Sequence, residues 1–418
     1  MTDSPATTTR ARLPREVFVL ALVAFCVALG FGIVAPAIPV FAESFGVSAF
    51  WASAVVSVFA LVRLVSALPA GRFVDAVGER VVLTTGLLIV AVSSLLAGLS
   101  ASYPQLLVLR GIGGFGSAMF TVSSFGLLIR VVHPDVRARA AGAYQSGFLL
   151  GGIAGPAIGG LVAAQSVRTP FFVYAGTLGA AAIVSATMLA GSHLREKDVV
   201  TEGPGWSAVR EALRLRPYVA ALSANFASGF AAFGLRSALV PLLVVNSLGQ
   251  TPRLTGAGLM VTAVVTGLLL WPAGRMSDLG GRRTPLVIGT GLSVLGLVGL
   301  ALTHTPVTFL VAMAVIGAGA AFLSSAPAAI VADVGGGRRS GKLVATYQMS
   351  SDVGTITGPL IGGAIVTATG SYSAGFAVGA AISLGSFAMA LVMPEPRAAA
   401  SPETASPSTD DAGQTAAP

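Results

Sequence analysis

Long stretches almost free of charge alternate along the chain with short segments where arginine, lysine, aspartate and glutamate collect. At about 1.5 Å of helical rise per residue, a run of about 20 such residues crosses a hydrocarbon core of about 30 Å. Twelve runs meet that length: residues 17–41, 50–70, 81–101, 105–129, 140–164, 171–191, 219–245, 254–274, 285–303, 307–331, 343–367 and 373–393. The pattern predicts an all-α integral membrane protein with twelve transmembrane helices. Residues 1–14 form a polar tail with no small-residue cleavage site before the first run, so that run is read as a retained helix. A polar linker at 193–217 separates a six-helix bundle at 15–192 from a second at 218–393. Within the linker, Trp206, Val209 and Leu213 are spaced for a short amphipathic helix lying on the membrane surface. The tail at 394–418 is rich in Ala, Ser, Pro and Thr and is predicted to be disordered.

A single offset of 203 residues relates the two bundles at several independent places. It carries Pro69, Gly71 and Asp75 onto Pro272, Gly274 and Asp278, and Gly114 and Gly116 onto Gly317 and Gly319. Tyr144 and Gln145 fall on Tyr347 and Gln348, and Gly155, Pro156, Gly159 and Gly160 on Gly358, Pro359, Gly362 and Gly363. Six helices separate equivalent points, so the halves run through the membrane in the same direction. Parallel repeats of this kind place a substrate site near the bilayer midplane and work by rocking one half against the other.

Composition agrees with the pattern. With 54% hydrophobic and 10% charged residues and a mean hydropathy of +0.83, the chain lies outside the range of a soluble globule. A net charge of +8 raises the question of nucleic-acid binding, but the positions of the basic residues argue against it. Of 25 Lys and Arg, 20 fall in the termini and in loops on one side, two (Arg168 and Arg253) in loops on the other, and three (Arg63, Arg110 and Arg236) within spans. This is the positive-inside bias, and it places both termini and the linker in the cytosol, in an inner or plasma membrane. The lone Cys26 excludes an internal disulfide and a cysteine metal cluster.

Four motifs occupy fixed places in the runs. Gly71-x3-Asp75-x2-Gly78-x-Arg80, with Arg72 inside it, follows the second run, and Gly274-x3-Asp278-x2-Gly281-Arg282-Arg283 follows the eighth. Arg110-x3-Gly114-x-Gly116 lies in the fourth. Gly151-x3-Gly155-Pro156-x2-Gly159-Gly160 lies in the fifth and is echoed in the eleventh by Gly354, Gly358, Pro359, Gly362 and Gly363. With these motifs in these helices, residues from about 15 to 393 resemble the major facilitator superfamily, and within it the twelve-helix drug:proton antiporter branch. The resemblance implies alternating access, a cytosolic latch in the loop after the second helix, and a fifth-helix motif typical of exporters. Glu79 departs from the pattern, standing where a second basic residue is usual, and is expected to weaken the first latch relative to the second.

The motifs also have physical readings of their own. A carboxylate at Asp75 can accept hydrogen bonds from a neighbouring helix N-terminus and from Arg137 or Arg139, holding the halves together on one side. Gly71 and Gly78 permit close approach and a tight turn. Topology alone is the competing source of such loop charges. Glycines 151, 155 and 159 recur every four residues and form a flat ridge for close helix packing, while Pro156 bends the helix. Ordinary glycine packing is the alternative, above all for the copy in the eleventh run. In the fourth run Arg110, Gly114, Ser117, Thr121 and Ser124 share one face, predicted to line water or substrate, and Arg110, costly in lipid, should face the interior. A weaker stripe in the seventh run joins Asn225, Ser228, Gly229, Ala232 and Arg236.

Asp352 is the only acid well inside a run, and its equivalent is Leu149. It lies about 15 Å along its helix from Lys342, and Arg63 lies about 14 Å from Arg72. Since the resembling fold brings the second and eleventh helices together, Arg63 is the first expected partner and Arg236 the second. Asp352 is read as the proton-coupling carboxylate, with a permanent ion pair as the alternative.

Two patterns of soluble enzymes fail in context. Gly111-x-Gly113-x2-Gly116 fits a dinucleotide fingerprint but lies inside a run with no strand before it, and Gly336-x4-Gly341-Lys342 resembles a phosphate loop but has Leu343 where Ser or Thr should bind magnesium. His133, His193 and His304 fall in loops or at run ends, leaving no intramembrane histidine for a metal or hydrolytic site. No enzyme activity, cofactor or metal is expected. The expected activity is secondary active transport, driven by a proton gradient, that exports small neutral or anionic amphipathic organic compounds, because three arginines within the runs face one acid. Proton-coupled uptake of a sugar or other metabolite, and ligand sensing without transport, are the alternatives. The protein is expected to act as a monomer in the lipid bilayer on a small-molecule substrate and protons, with no nucleic-acid partner.

Overall fold

The computed structural model describes residues 13–132, 136–189, 206–279, 281–335 and 341–395. The two predicted tails, except at their inner ends, and the first part of the linker lie outside the described residues. Among those described, twelve spanning helices follow in order. The first half holds α1 (Arg15–Val34, continuing as Ala37–Glu43), α2 (Ala49–Val77), α3 (Glu79–Gly98), α4 (Tyr103–Val131), α5 (Arg137–Ala163) and α6 (Thr169–Met188). The second half holds α7 (Arg216–Ser228, extended to Ser247), α8 (Pro252–Leu279), α9 (Arg283–Ala301), α10 (Pro306–Leu323, continuing as Ala326–Val334), α11 (Gly341–Thr369) and α12 (Tyr372–Val392).

Eleven of these are long and apolar enough to cross a membrane by composition. The remaining one, α11, is 29 residues long but is diluted between residues 348 and 357 by Gln348, Ser350, Ser351, Asp352, Thr355 and Thr357. Such polar load in a spanning helix is costly against lipid and points to contact with protein or water. Proline shapes the interrupted helices: α1 breaks just before Pro36, whose ring cannot donate the next helical hydrogen bond. Two π-helical turns, Gly229–Leu235 and Leu243–Ser247, widen α7 on either side of Arg236–Leu242.

The 203-residue offset is visible in backbone geometry as well as in sequence. Gly46 (φ 78°) matches Gly249 (φ 59°), and Gly78 (φ 87°) matches Gly281 (φ 90°), so these two turns take the left-handed region with glycine in both halves. In the first half α1 packs on α5 and α6, and α4 on α2 and α3; in the second α11 packs on the widened α7, and α9 on α10 and α12. The halves meet along two seams, α2 against α11 and α5 against α8. Outward-facing side chains such as Leu68 (81% exposed) and Trp271 (73%) find their apolar surroundings in lipid rather than protein.

The predicted surface helix of the linker is present at Trp206–Ala212, but it does not lie free on the membrane. Val209 and Ala212 are buried in an apolar cluster with Tyr218, Leu286, Ile330 and Met393, so the connector docks on the second half. Leu213 stays exposed. The reason is local: the start of α7 and the end of α12 leave an apolar notch there, and burying Val209 removes more surface from water than a shallow interfacial position would.

Candidate functional site

The glycine ridges orient everything else. A methyl group added to Gly155 would fall 2.6 Å from the Leu29 carbonyl oxygen, and one at Gly159 2.5 Å from that of Ile33, so this ridge, with Gly151, presses backbone to backbone on α1. In the second half Gly354 and Gly358 press in the same way on Phe226 and Phe230 of α7, Gly362 abuts Leu235, and Pro359 stacks on Gly234. Each ridge is therefore internal to its half. The adjacent glycine in each motif points to the other half: a Cβ on Gly160 would meet Gly256 of α8 at 2.7 Å, and one on Gly363 would meet Ala49, Phe50 and Ser53 of α2.

With its ridge spent on α7, α11 turns its polar side to α2. Three hydrogen bonds climb this antiparallel seam: the Phe50 amide donates to Thr367 Oγ1 at 3.0 Å, Ser57 Oγ to the Ile356 carbonyl at 2.7 Å, and Arg63 Nη2 to Asp352 Oδ1 at 2.8 Å. The Arg63 and Asp352 side chains are 37% and 27% exposed. Arg63 lies roughly 140–160° round α2 from the exposed Leu61, Val65 and Leu68, so it points away from that apolar face. The structure thus brings together the first-named pair, Arg63 with Asp352, and leaves Arg236 out of it. Arg236 stands at the end of a π turn, half-buried, with a buried Nε that lacks a hydrogen-bond partner.

The other seam is apolar where this one is charged. The offset converts Arg63 into Thr266 and Asp352 into Leu149, and Thr266 spends its hydroxyl on the Thr262 and Gly317 carbonyls of its own half. At the end of the bundle away from the chain termini, the far end, Glu43 of α1 meets Asn246 of α7. At the opposite end, Glu79 accepts from Arg130 at 2.6 and 2.7 Å and is only 2% exposed, while Arg282 donates to Asp333 at 3.1 Å. These last two pairs are repeats of each other with the charges exchanged.

The sequence profile of the Major Facilitator Superfamily matches residues 20–235 and, a second time, 221–415. The chain belongs to this superfamily. Quinolone resistance protein NorA of Staphylococcus aureus (strain MRSA252) is 31% identical over 176 residues, 42% of this chain and 45% of NorA, so that match spans less than half the relative's length. Multidrug resistance protein 1 of Bacillus subtilis (strain 168) is 26% identical over 361 residues, 84% of this chain and 90% of that one. A bacterial homologue of the human lysosomal transporter Spinster superposes with a TM-score of 0.70 at 15% identity, covering 91% of this chain and 96% of that chain. A peptide transporter superposes with a TM-score of 0.71 at 12% identity, covering 91% and 93%. At such identities the two structures speak for the fold alone.

The superfamily match and the eleven apolar spans among the described residues make the chain a multi-pass integral membrane protein. Several sequence expectations are refined by where the residues lie. The α4 stripe does not line water as a whole. Arg110 faces the interior but is 2% exposed, with its guanidinium 4.4 Å from the Phe59 ring centroid. Gly114 is pressed on the α2 backbone, and the Ser124 hydroxyl is 2.8 Å from that of Tyr144. Only Ser117, half-buried, and Thr121, exposed, reach open space. The α7 stripe is also corrected: Asn225 Nδ2 donates to the Tyr347 carbonyl at 2.6 Å and Gly229 abuts Ser351, because close α7/α11 packing takes that face.

The gating motifs lie at the terminal end. Gly78 caps α2 in the left-handed region, its amide donating to the Val74 carbonyl at 2.9 Å, with Gly71, Arg72, Asp75 and Arg80 on the approach. In the second copy, Gly281 makes the matching turn beneath Glu395, Arg282 also donates to the Ser277 carbonyl, and Arg283 donates to the Leu391 carbonyl. Gly274 has open space beside it, and the side chains of Asp278 and Arg137 lie outside the described residues. Glu79, expected to weaken the first latch, has a partner of its own in Arg130. Sequence reasoning missed that pair and the Glu43 contact, although the 203-residue offset links Glu79 to Arg282, Arg130 to Asp333 and Glu43 to Asn246.

Proposed function

We propose that the protein is a proton-coupled exporter of small neutral or anionic amphipathic organic compounds, a monomer with both termini and the linker in the cytosol. The observation that carries the reading is the Arg63–Asp352 pair, 2.8 Å apart across the seam between the halves and partly exposed. A carboxylate held by a cation on the other half has two environments in a rocking protein. When the halves part along α2 and α11, Asp352 loses its cation and is free to take a proton; when they close, Arg63 reclaims it and the proton leaves.

Asp75 and Asp278 are read as the cytosolic latch, and Ser117 and Thr121, with the buried Arg110 behind them, as the wall of the substrate path. An excess of arginine over acid in that region favours neutral or anionic compounds over polycations. Export is supported by the relatives, a quinolone resistance and a multidrug resistance protein, and by the glycine–proline motif of α5. Cytosolic termini are supported by the loop distribution of arginine and lysine.

Asp352→Asn is expected to keep substrate binding and counterflow exchange in proteoliposomes while losing accumulation driven by a pH gradient. If the variant still concentrates substrate at the wild-type rate, proton coupling at Asp352 is wrong. A C-terminal reporter that fluoresces only in the cytosol should be bright, and a dark, fully expressed fusion would overturn the orientation.

A further inference from the structure

Glu43 ends α1, and Asn246 lies in the last π turn of α7. Asn246 Nδ2 is 2.9 and 2.8 Å from the two carboxylate oxygens of Glu43 and 2.8 Å from the Tyr372 hydroxyl of α12. The two residues are 203 positions apart, so each is the other's repeat equivalent. The pseudo-twofold axis relating the halves therefore passes between them, as in an isologous contact where a surface meets its own copy. At such a point an unbroken repeat would set glutamate against glutamate, which repel, or asparagine against asparagine, which forgoes the charge. One of each gives a charge-assisted hydrogen bond. Below it the far-end closure is made by backbone, Gly160 on Gly256 and Gly363 on Phe50. Asn246 is exposed and Glu43 half-buried, so water can replace the bond when it opens, which a reversible contact requires.

We propose that Glu43 and Asn246, steadied by Tyr372, are the far-side latch of the transport cycle, the contact that must part before the substrate path opens to that side. The inference rests on alternating access in this transporter and is independent of proton coupling at Asp352. It is tested in a Cys26→Ser background with a cysteine in place of Ser53, which is fully buried beside Gly363 on the α2/α11 seam. A membrane-impermeant maleimide is applied from the far side of sealed vesicles without substrate or pH gradient. Glu43→Ala should raise the labelling rate roughly three- to tenfold, corresponding to about 0.7–1.4 kcal/mol. Glu43→Gln and Tyr372→Phe should raise it less.

The exchange Glu43→Asn with Asn246→Glu should return the rate to within about twofold of the parent, because the axis makes the exchanged contact geometrically equivalent. Unchanged labelling in Glu43→Ala, or an exchange variant that labels as fast as Glu43→Ala, would overturn the latch. Since the assay uses neither protons nor substrate, its failure leaves the coupling test at Asp352 standing, and failure of the coupling test leaves this one intact.

Discussion

The two seams between the halves are built on the same backbone plan and differ in chemistry. On both, the last glycine of a Gly-Gly pair, Gly160 or Gly363, crosses to the opposite half, and its partner positions, Gly256 and Ser53, are themselves repeat equivalents. The α5/α8 seam stops there: Leu149 and Thr266 make no charged contact across it. The α2/α11 seam adds three hydrogen bonds, ending in Arg63–Asp352. The difference teaches that close approach of the halves needs only small residues, so the ion pair is not required for packing. A charged pair retained in a spanning region with no packing demand for it is the mark of a functional group.

The comparison can be broken most severely at the uncharged seam. Gly256→Leu places a side chain where Gly160 Cα already fills the space, and it is expected to cut transport below about a tenth and to destabilise the protein by about 1–3 kcal/mol. Gly179→Ala, whose added methyl meets nothing within 4 Å, should match the parent in the same thermal-shift and uptake assays. Equal behaviour of the two variants would mean that contact at Gly160 is dispensable.

Next in size is conversion of one seam into the other. Arg63→Thr with Asp352→Leu gives α2/α11 the residues of α5/α8. The double variant should fold and still equilibrate substrate, yet lose about tenfold or more of gradient-driven accumulation. Asp352→Leu alone should be less stable than the double by about 1–3 kcal/mol, since it leaves Arg63 without its carboxylate. A double variant that accumulates normally would reduce the pair to a structural contact.

The smallest effect is expected from the exchanged pairs at the terminal end. Glu79→Arg sets a second cation against Arg130 and should lower stability by about 1–3 kcal/mol, with a several-fold loss of transport. Adding Arg130→Glu recreates the polarity seen in Arg282–Asp333 and should recover most of both. Thermal unfolding of the single and double variants decides it; no recovery would show that the halves have diverged in backbone as well as in charge.

Much of the fold was legible in sequence because its causes are local. Span length, loop charge and the 203-residue repeat can be read residue by residue, and depth counted along the helices puts Asp352 and Arg63 at about the same level. The α4 and α7 stripes were read less well. Periodicity says which residues share a face but not what covers it: Phe59 caps Arg110, and α11 takes the face of α7 that holds Asn225.

What the sequence determined by itself was a twelve-helix membrane protein in two parallel halves, with glycine at the turns and ridges and charge confined to a few positions. These follow from hydrophobic length, backbone conformation and the cost of charge in lipid, which act within one helix or one loop. The tertiary structure decided which polar groups meet, choosing Arg63 over Arg236 for Asp352 and supplying two pairs that the sequence reading had not named. Arg63 with Asp352, Glu43 with Asn246 and Glu79 with Arg130 are separated by 289, 203 and 51 residues, and each pair forms because helix packing brings its members within hydrogen-bond reach. Coulomb attraction acts through space, and no pattern along a single helix records which neighbour the other side of a seam will supply.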